Sequence, residues 1–135
     1  MRRVAKCACE QLKITVEGDP ILAAVCNCTV CQRKTGSPYG LSSYFEDGQL
    51  VSIEGEHKFW SREAESGRRV KQHFCAICGS NMFWYAELLP NTIGIAGGNF
   101  NDPDFPVPDT AAWAQSKYKW VQFPPETKVL STSRF

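Results

Sequence analysis

The sequence predicts an all-β domain, and three observations carry that expectation. Short runs of strand-forming residues recur along the chain, separated by turn residues such as Gly, Pro, Asn and Asp. Apolar and polar residues alternate within them, as at Leu12, Ile14 and Val16, which is the period of a strand buried on one face. No stretch holds a helical period for long. Short strands joined by tight turns pack most simply as antiparallel sheets.

Taken in order, the first run covers residues 11–17 and closes at Gly18-Asp19-Pro20. A second covers 21–26. The third, 39–45, ends at Glu46-Asp47-Gly48, and the fourth, 49–54, at Gly55-Glu56. Further strands are expected at 57–61, 70–74, 81–86 and 92–96. Short helical turns fit 29–34 and 110–116. Gly97-Gly98-Asn99 reads as a turn, and Asn101 to Pro108 is turn-rich and expected to wrap the surface in extended form. Trp113, Tyr118 and Trp120 follow it, spaced as core or lid packing rather than a ligand cage. With no internal repeat and no linker, residues 1–135 read as a single domain.

Composition narrows the function classes. A hydrophobic fraction of 43% supports a packed core and argues against disorder. The net charge of +1, from 15 basic and 14 acidic residues, gives no footprint for nucleic acid. The nearest basic cluster, Arg68-Arg69 with Lys71, reads as the solvated face of a strand. No apolar run approaches the ~18 residues of a membrane helix. Met1 to Cys7 carries charge with no apolar segment behind it, unlike a signal peptide. A cytoplasmic, reducing location is therefore expected, in which cysteines stay as thiols or bind metal.

The seven cysteines are the strongest signal. An odd number leaves a disulfide framework one thiol over. They fall into C-x-C at Cys7 and Cys9, C-x-C-x-x-C at Cys26, Cys28 and Cys31, and C-x-x-C-G at Cys75 and Cys78. Two residues between thiolates let both sulfurs of Cys75 and Cys78 face one ion, and Gly79 suits the positive φ of a tight knuckle. Cys7 and Cys9, placed at i and i+2 of an N-terminal strand, would present their sulfurs on one face and complete a tetrahedral site. Four thiolates leave no room for substrate, so this zinc is expected to be structural. The remaining trio is too close in sequence to serve separate sites. Three protein ligands with a fourth position open is the pattern of a catalytic zinc.

Other readings stay open at this point. A C-x-x-C can be a redox pair, but that role wants a βαβ setting, and Cys75 lies between two strand-like runs. The trio could be completed by His57, His73 or an acidic side chain, which would make the second zinc structural as well. It could also store zinc and release it on oxidation.

The order of motifs resembles the glutathione-dependent formaldehyde-activating enzyme family, which also includes the centromere protein V type. The resemblance rests on Cys7-x-Cys9; on Cys26-Asn27-Cys28-x-x-Cys31-Gln32-Arg33-Lys34-x-Gly36; on Gly67-Arg68-Arg69 leading to Phe74-Cys75-x-x-Cys78-Gly79-Ser80; and on Ile93-x-Ile95-x-Gly97, Asp102-Pro103 and the ending Lys117-Tyr118-Lys119-Trp120. It covers nearly the whole chain. It implies a β-tent-like arrangement of coiled antiparallel sheets, stapled by one structural and one catalytic zinc with the same division of cysteines.

It also implies a carbon–sulfur lyase-like activity, run as condensation of formaldehyde with glutathione to S-hydroxymethylglutathione. Arg33, Lys34, Arg68 and Arg69 are the candidates for contacts to the carboxylates of a glutathione-like thiol. The alternative is a non-catalytic binding or scaffold module, as the centromere-type relatives suggest. Self-association into a homo-oligomer is left open. Two departures from the family pattern bear on the substrate: Asn27 stands where relatives often have His, and Asp109-Thr110-Ala111-Ala112 replaces a segment that often carries one.

Overall fold

Alternating burial along the strands builds two sheets that share one core. The computed structural model describes residues 1–134, and the strands named below are those among them. A small sheet pairs β1 (Arg2–Lys6) with β2 (Lys13–Glu17) and β2 with β5 (Leu50–Glu54), all antiparallel. The large sheet comprises β3 (Leu22–Cys26), β4 (Gly40–Glu46), β6 (His57–Glu63), β7 (Arg69–Cys75), β8 (Asn81–Ala86), β9 (Thr92–Ala96), β10 (Thr110–Ala112) and β11 (Lys128–Val129). Its order is β11-β10-β3-β4-β9-β8-β7-β6.

Ala5, Leu12, Ile14 and Val16 of the small-sheet side meet Phe45, Met82, Phe83, Ile93 and Ile95 of the large one in a continuous apolar cluster. Burying one such Phe or Ile side chain contributes about 1.5–3 kcal/mol, so this interface is the main source of cohesion. Cys7 and Cys75 are buried in the same cluster. No helix is long and apolar enough to cross a membrane among the described residues.

Two expectations need correction. The large sheet is mixed rather than purely antiparallel, because β10 runs parallel to both β3 and β11. Residues 110–116 accordingly do not form one helical turn. Thr110, Ala111 and Ala112 are drawn into the sheet by pairing with Ala24, Val25 and Cys26, and a 3-10 turn follows only at Ala114–Ser116. The helical turn expected at 29–34 is present as α1 (Thr29–Thr35), closed by Gly36 in the left-handed region.

One close approach shapes the large sheet. Gly94 pairs with Trp84, and a Cβ at Gly94 would fall 2.2 Å from the indole Nε1. The pyrrole edge of the indole therefore occupies the space a side chain at Gly94 would need, and its N–H donates to the Tyr44 hydroxyl at 3.1 Å.

Candidate metal centres and cavity

Two turns bring the first cysteine group together. β1 ends at Lys6, so Cys7 and Cys9 lie in a turn rather than on a strand face, which corrects the sequence expectation. The turn closes through the Glu10 N–H donating to the Cys7 carbonyl at 3.0 Å, with Glu10 itself at φ 67°. Turn and strand converge on the same outcome, since both present i and i+2 sulfurs together. Opposite them, Cys75 ends β7 and Gly79 adopts φ 78°, the knuckle geometry expected of it.

The four sulfurs lie within 4.8 Å of one another. Cys7 Sγ is 3.6 Å from Cys9 Sγ, which is 3.8 Å from Cys75 Sγ. A tetrahedron with metal–sulfur bonds of ~2.3 Å has edges of ~3.8 Å, so the spacing fits a tetrathiolate ion. The surrounding N–H groups suit thiolates rather than thiols: Leu12 N–H reaches Cys7 Sγ at 3.3 Å, and Ile77 and Cys78 N–H reach Cys75 Sγ at 3.4 Å. Hydrogen bonding from the Ser80 hydroxyl, helped by the N–H groups of Ser80 and Cys9, holds the Cys78 thiol down at about 5.

The second group is assembled locally. Cys26 ends β3, Cys28 caps α1 by accepting the Cys31 N–H at 3.3 Å, and Cys31 sits buried in the first turn. Their three sulfurs also lie within 4.8 Å of one another, and no His, Asp or Glu joins them among the described residues. His57 and His73 turn to each other instead, Nδ1 to Nδ1 at 3.1 Å. Hydrogen bonds from Cys26 and Cys31 push the Cys28 thiol far down, and the same sharing pushes Cys26 up.

The trio is held from behind. Asn27 is fully buried, and both its backbone N–H and its Nδ2 donate to the Ala112 carbonyl, at 3.0 and 2.8 Å. Gln32 Nε2 bridges the Asn27 and Ser116 carbonyls at 3.0 and 2.9 Å. The departure at Asn27 therefore serves as a clamp between α1 and β10.

A cavity of about 470 Å³ reaches the trio at Cys31 and runs past Lys34, Ser42 and Trp84 to Ser80 and to Cys78 of the quartet. Of the four cationic candidates, the structure places only Lys34 on its wall. Lys34 Nζ donates to Gln72 Oε1 at 2.9 Å and lies 4.7 Å from the centre of the Trp84 ring. Arg33 is exposed on α1; Arg68 is exposed beside a separate hollow with Trp113; Arg69 is exposed and donates to the Ser61 hydroxyl at 3.3 Å.

A family model described as glutathione-dependent formaldehyde-activating enzyme matches residues 2–116. The chain belongs to that family. The matched span contains all seven cysteines and Lys34. A crystal structure of a Rhodobacter sphaeroides protein, solved in a structural-genomics effort, is similar in fold at a TM-score of 0.56 and 20% identity, covering 73% of this chain and 86% of that one. In this formaldehyde-activating family member, the cavity residues Asn81 and Trp84, and Gln72 buried behind Lys34, were not singled out by sequence reasoning. They come from two neighbouring strands and mark no motif. The burial of Lys34 did have a signal, since it stands three residues after Cys31 on the same face of a helix.

Proposed function

We propose that the protein catalyses reversible addition of a glutathione-like thiol to a small aldehyde such as formaldehyde, with zinc as the metal of both cysteine groups. The observation that carries this reading is a three-thiol cluster, without a fourth protein ligand among the described residues, beside a cavity large enough for a small thiol. Cys7, Cys9, Cys75 and Cys78 would hold the structural ion. Cys26, Cys28 and Cys31 would hold the other, which when bound supplies the positive charge that keeps a substrate thiol ionised at neutral pH.

The chain's own residues do the rest. Cys31 and Lys34 place the reacting groups at one end of the cavity, while Leu41 and Trp84 line it with apolar surface and restrict water. The clamp of Asn27 and Gln32 keeps the three sulfurs in register with that wall. The fold is thereby spared from reorganising when charge moves in the site, which is the condition for electrostatic assistance to count.

Metal analysis together with a thiol screen tests the proposal. Purified protein should carry two zinc ions per chain and consume formaldehyde only when a thiol is present. Two zinc ions with no thiol-dependent consumption across the screen would favour the scaffold reading instead.

A further inference from the structure

Resting on the thiol–aldehyde reading, we propose that Lys34 is a catalytic residue whose ammonium receives the negatively charged oxygen that develops on the carbonyl carbon as sulfur adds to it. Position is the first support. Lys34 lies three residues beyond Cys31 on α1, so both side chains share a helix face, and both line the cavity. The helix cannot roll, because Gln32 on its neighbouring face ties it to Asn27 and Ser116.

The second support is how the cation is held. An ammonium has three donors, and Lys34 gives one of them to Gln72 Oε1. Gln72 is aimed by its own Nε2, which donates to Asn81 Oδ1, so its carbonyl oxygen faces the lysine. The Trp84 ring supports the charge from another side. Two donors remain for whatever enters the cavity.

The third is what Lys34 lacks. No carboxylate pairs with it among the described residues, and no Arg, Asp or Glu shares the cavity wall. Lys34 is half-buried, and a cation drawn partly out of water is costly unless a countercharge is near. Burial pulls the Lys34 pKa down, and the charges of Cys31, Cys26 and Cys28 oppose that pull while Arg62 adds to it. The countercharge is therefore the sulfur cluster and the charge that forms beside it.

The reaction supplies such a charge. A sulfur lone pair forms the C–S bond, and the carbonyl π pair moves onto oxygen. That oxygen, bonded to the same carbon, carries a full negative charge until water protonates it. The proton lost by the thiol balances the one gained, so the net change is thiol plus aldehyde to hemithioacetal. Lys34 donates a hydrogen bond and gives up no proton.

The test uses zinc-loaded wild type, Lys34→Met and Lys34→Gln, two neutral replacements of which one keeps the apolar stem over Trp84 and the other keeps a polar partner for Gln72. Calorimetry would compare mercaptoacetate, whose anionic oxygen lies one bond farther from sulfur than the developing one, with neutral 2-mercaptoethanol. Wild type should prefer mercaptoacetate by about tenfold, and both variants should lose that preference. With 2-mercaptoethanol and formaldehyde as substrates, the variants should lose kcat by about 100-fold while the KM for thiol changes little. A preference that survives in both variants would overturn the proposal, as would a kcat loss confined to carboxylate-bearing thiols, which would make Lys34 a tail contact. Thiols that bind wild type normally but show no effect of either variant sink this inference alone. If neither thiol binds wild type, the thiol–aldehyde reading falls and takes this inference with it.

Discussion

The two cysteine groups are made of the same atoms and built in opposite ways. The quartet joins sulfurs far apart in sequence, Cys9 and Cys75 being 66 residues apart, and draws a turn after β1 against the end of β7. The trio lies within one short stretch and is ordered by a strand end and a helix cap. Closing a long loop removes much chain entropy from the unfolded state; closing a short one removes little. An ion held by the quartet would therefore constrain the fold, whereas one held by the trio would leave the fold nearly indifferent to it. A metal held by the trio could therefore exchange a ligand without loosening the fold.

That contrast can be broken most severely at the quartet. Cys75→Ser should destabilise the protein by more than about 4 kcal/mol or prevent folding, because Cys75 lies in the core cluster and would also be a ligand of the proposed structural ion. Thermal denaturation with metal quantification checks it. A stable Cys75→Ser protein would show that the quartet is not a staple.

A smaller loss is expected from Gly94→Ala. The added Cβ would force the Trp84 indole out of its place over the strand, costing about 1–3 kcal/mol. Because Trp84 also backs Lys34, the same variant should weaken thiol binding, linking large-sheet packing to the cavity. Denaturant titration and calorimetry would read the two effects separately.

Cys28→Ser sharpens the comparison from the other side. Serine caps helices well, so α1 should survive and stability should change by less than about 1 kcal/mol. One of the two metal ions and all thiol–aldehyde activity should be lost. Near-native melting with metal content halved is the expected pair of results.

The smallest effect concerns acid stability. Burial, with the charges of His57 and Lys71, depresses His73 from its ordinary 6.5 to about 4. Its facing contact with His57 Nδ1 needs a lone pair on one ring, so both cannot be charged. A depressed pKa means that stability is complete above about pH 6.5 and declines as pH falls toward 4. His73→Phe keeps the stack on Phe83, whose ring lies 4.4 Å away, and should flatten that part of the pH–stability curve relative to wild type.

The sulfur division was legible in the sequence because thiol chemistry is local: spacing dictates which sulfurs can share an ion. Strands with alternating burial, such as Lys13–Glu17, and the short helix after Cys28 were legible for the same reason. Thr110–Ala112 was not. Three residues hold no period, and their strand state comes from parallel partners on both sides. The turn at Cys7 to Glu10 escaped because a C-x-C presents its sulfurs together on a strand or in a turn. The cavity wall and its support escaped for a deeper reason: Asn81 and Trp84 on the wall, and Gln72 behind Lys34, gain their roles only from strand register, which no local pattern announces. Arg33, Arg68 and Arg69 looked equivalent to Lys34 as charges, and only the fold separates the half-buried cation on the cavity wall from the exposed ones.

X-ray absorption at the zinc edge, recorded before and after adding a thiol, tests most directly whether one group is closed and the other open. The average number of sulfurs per ion should begin between three and four and rise to four once thiol is bound. An average of four without thiol, or one that stays below four at saturating thiol, would contradict the account.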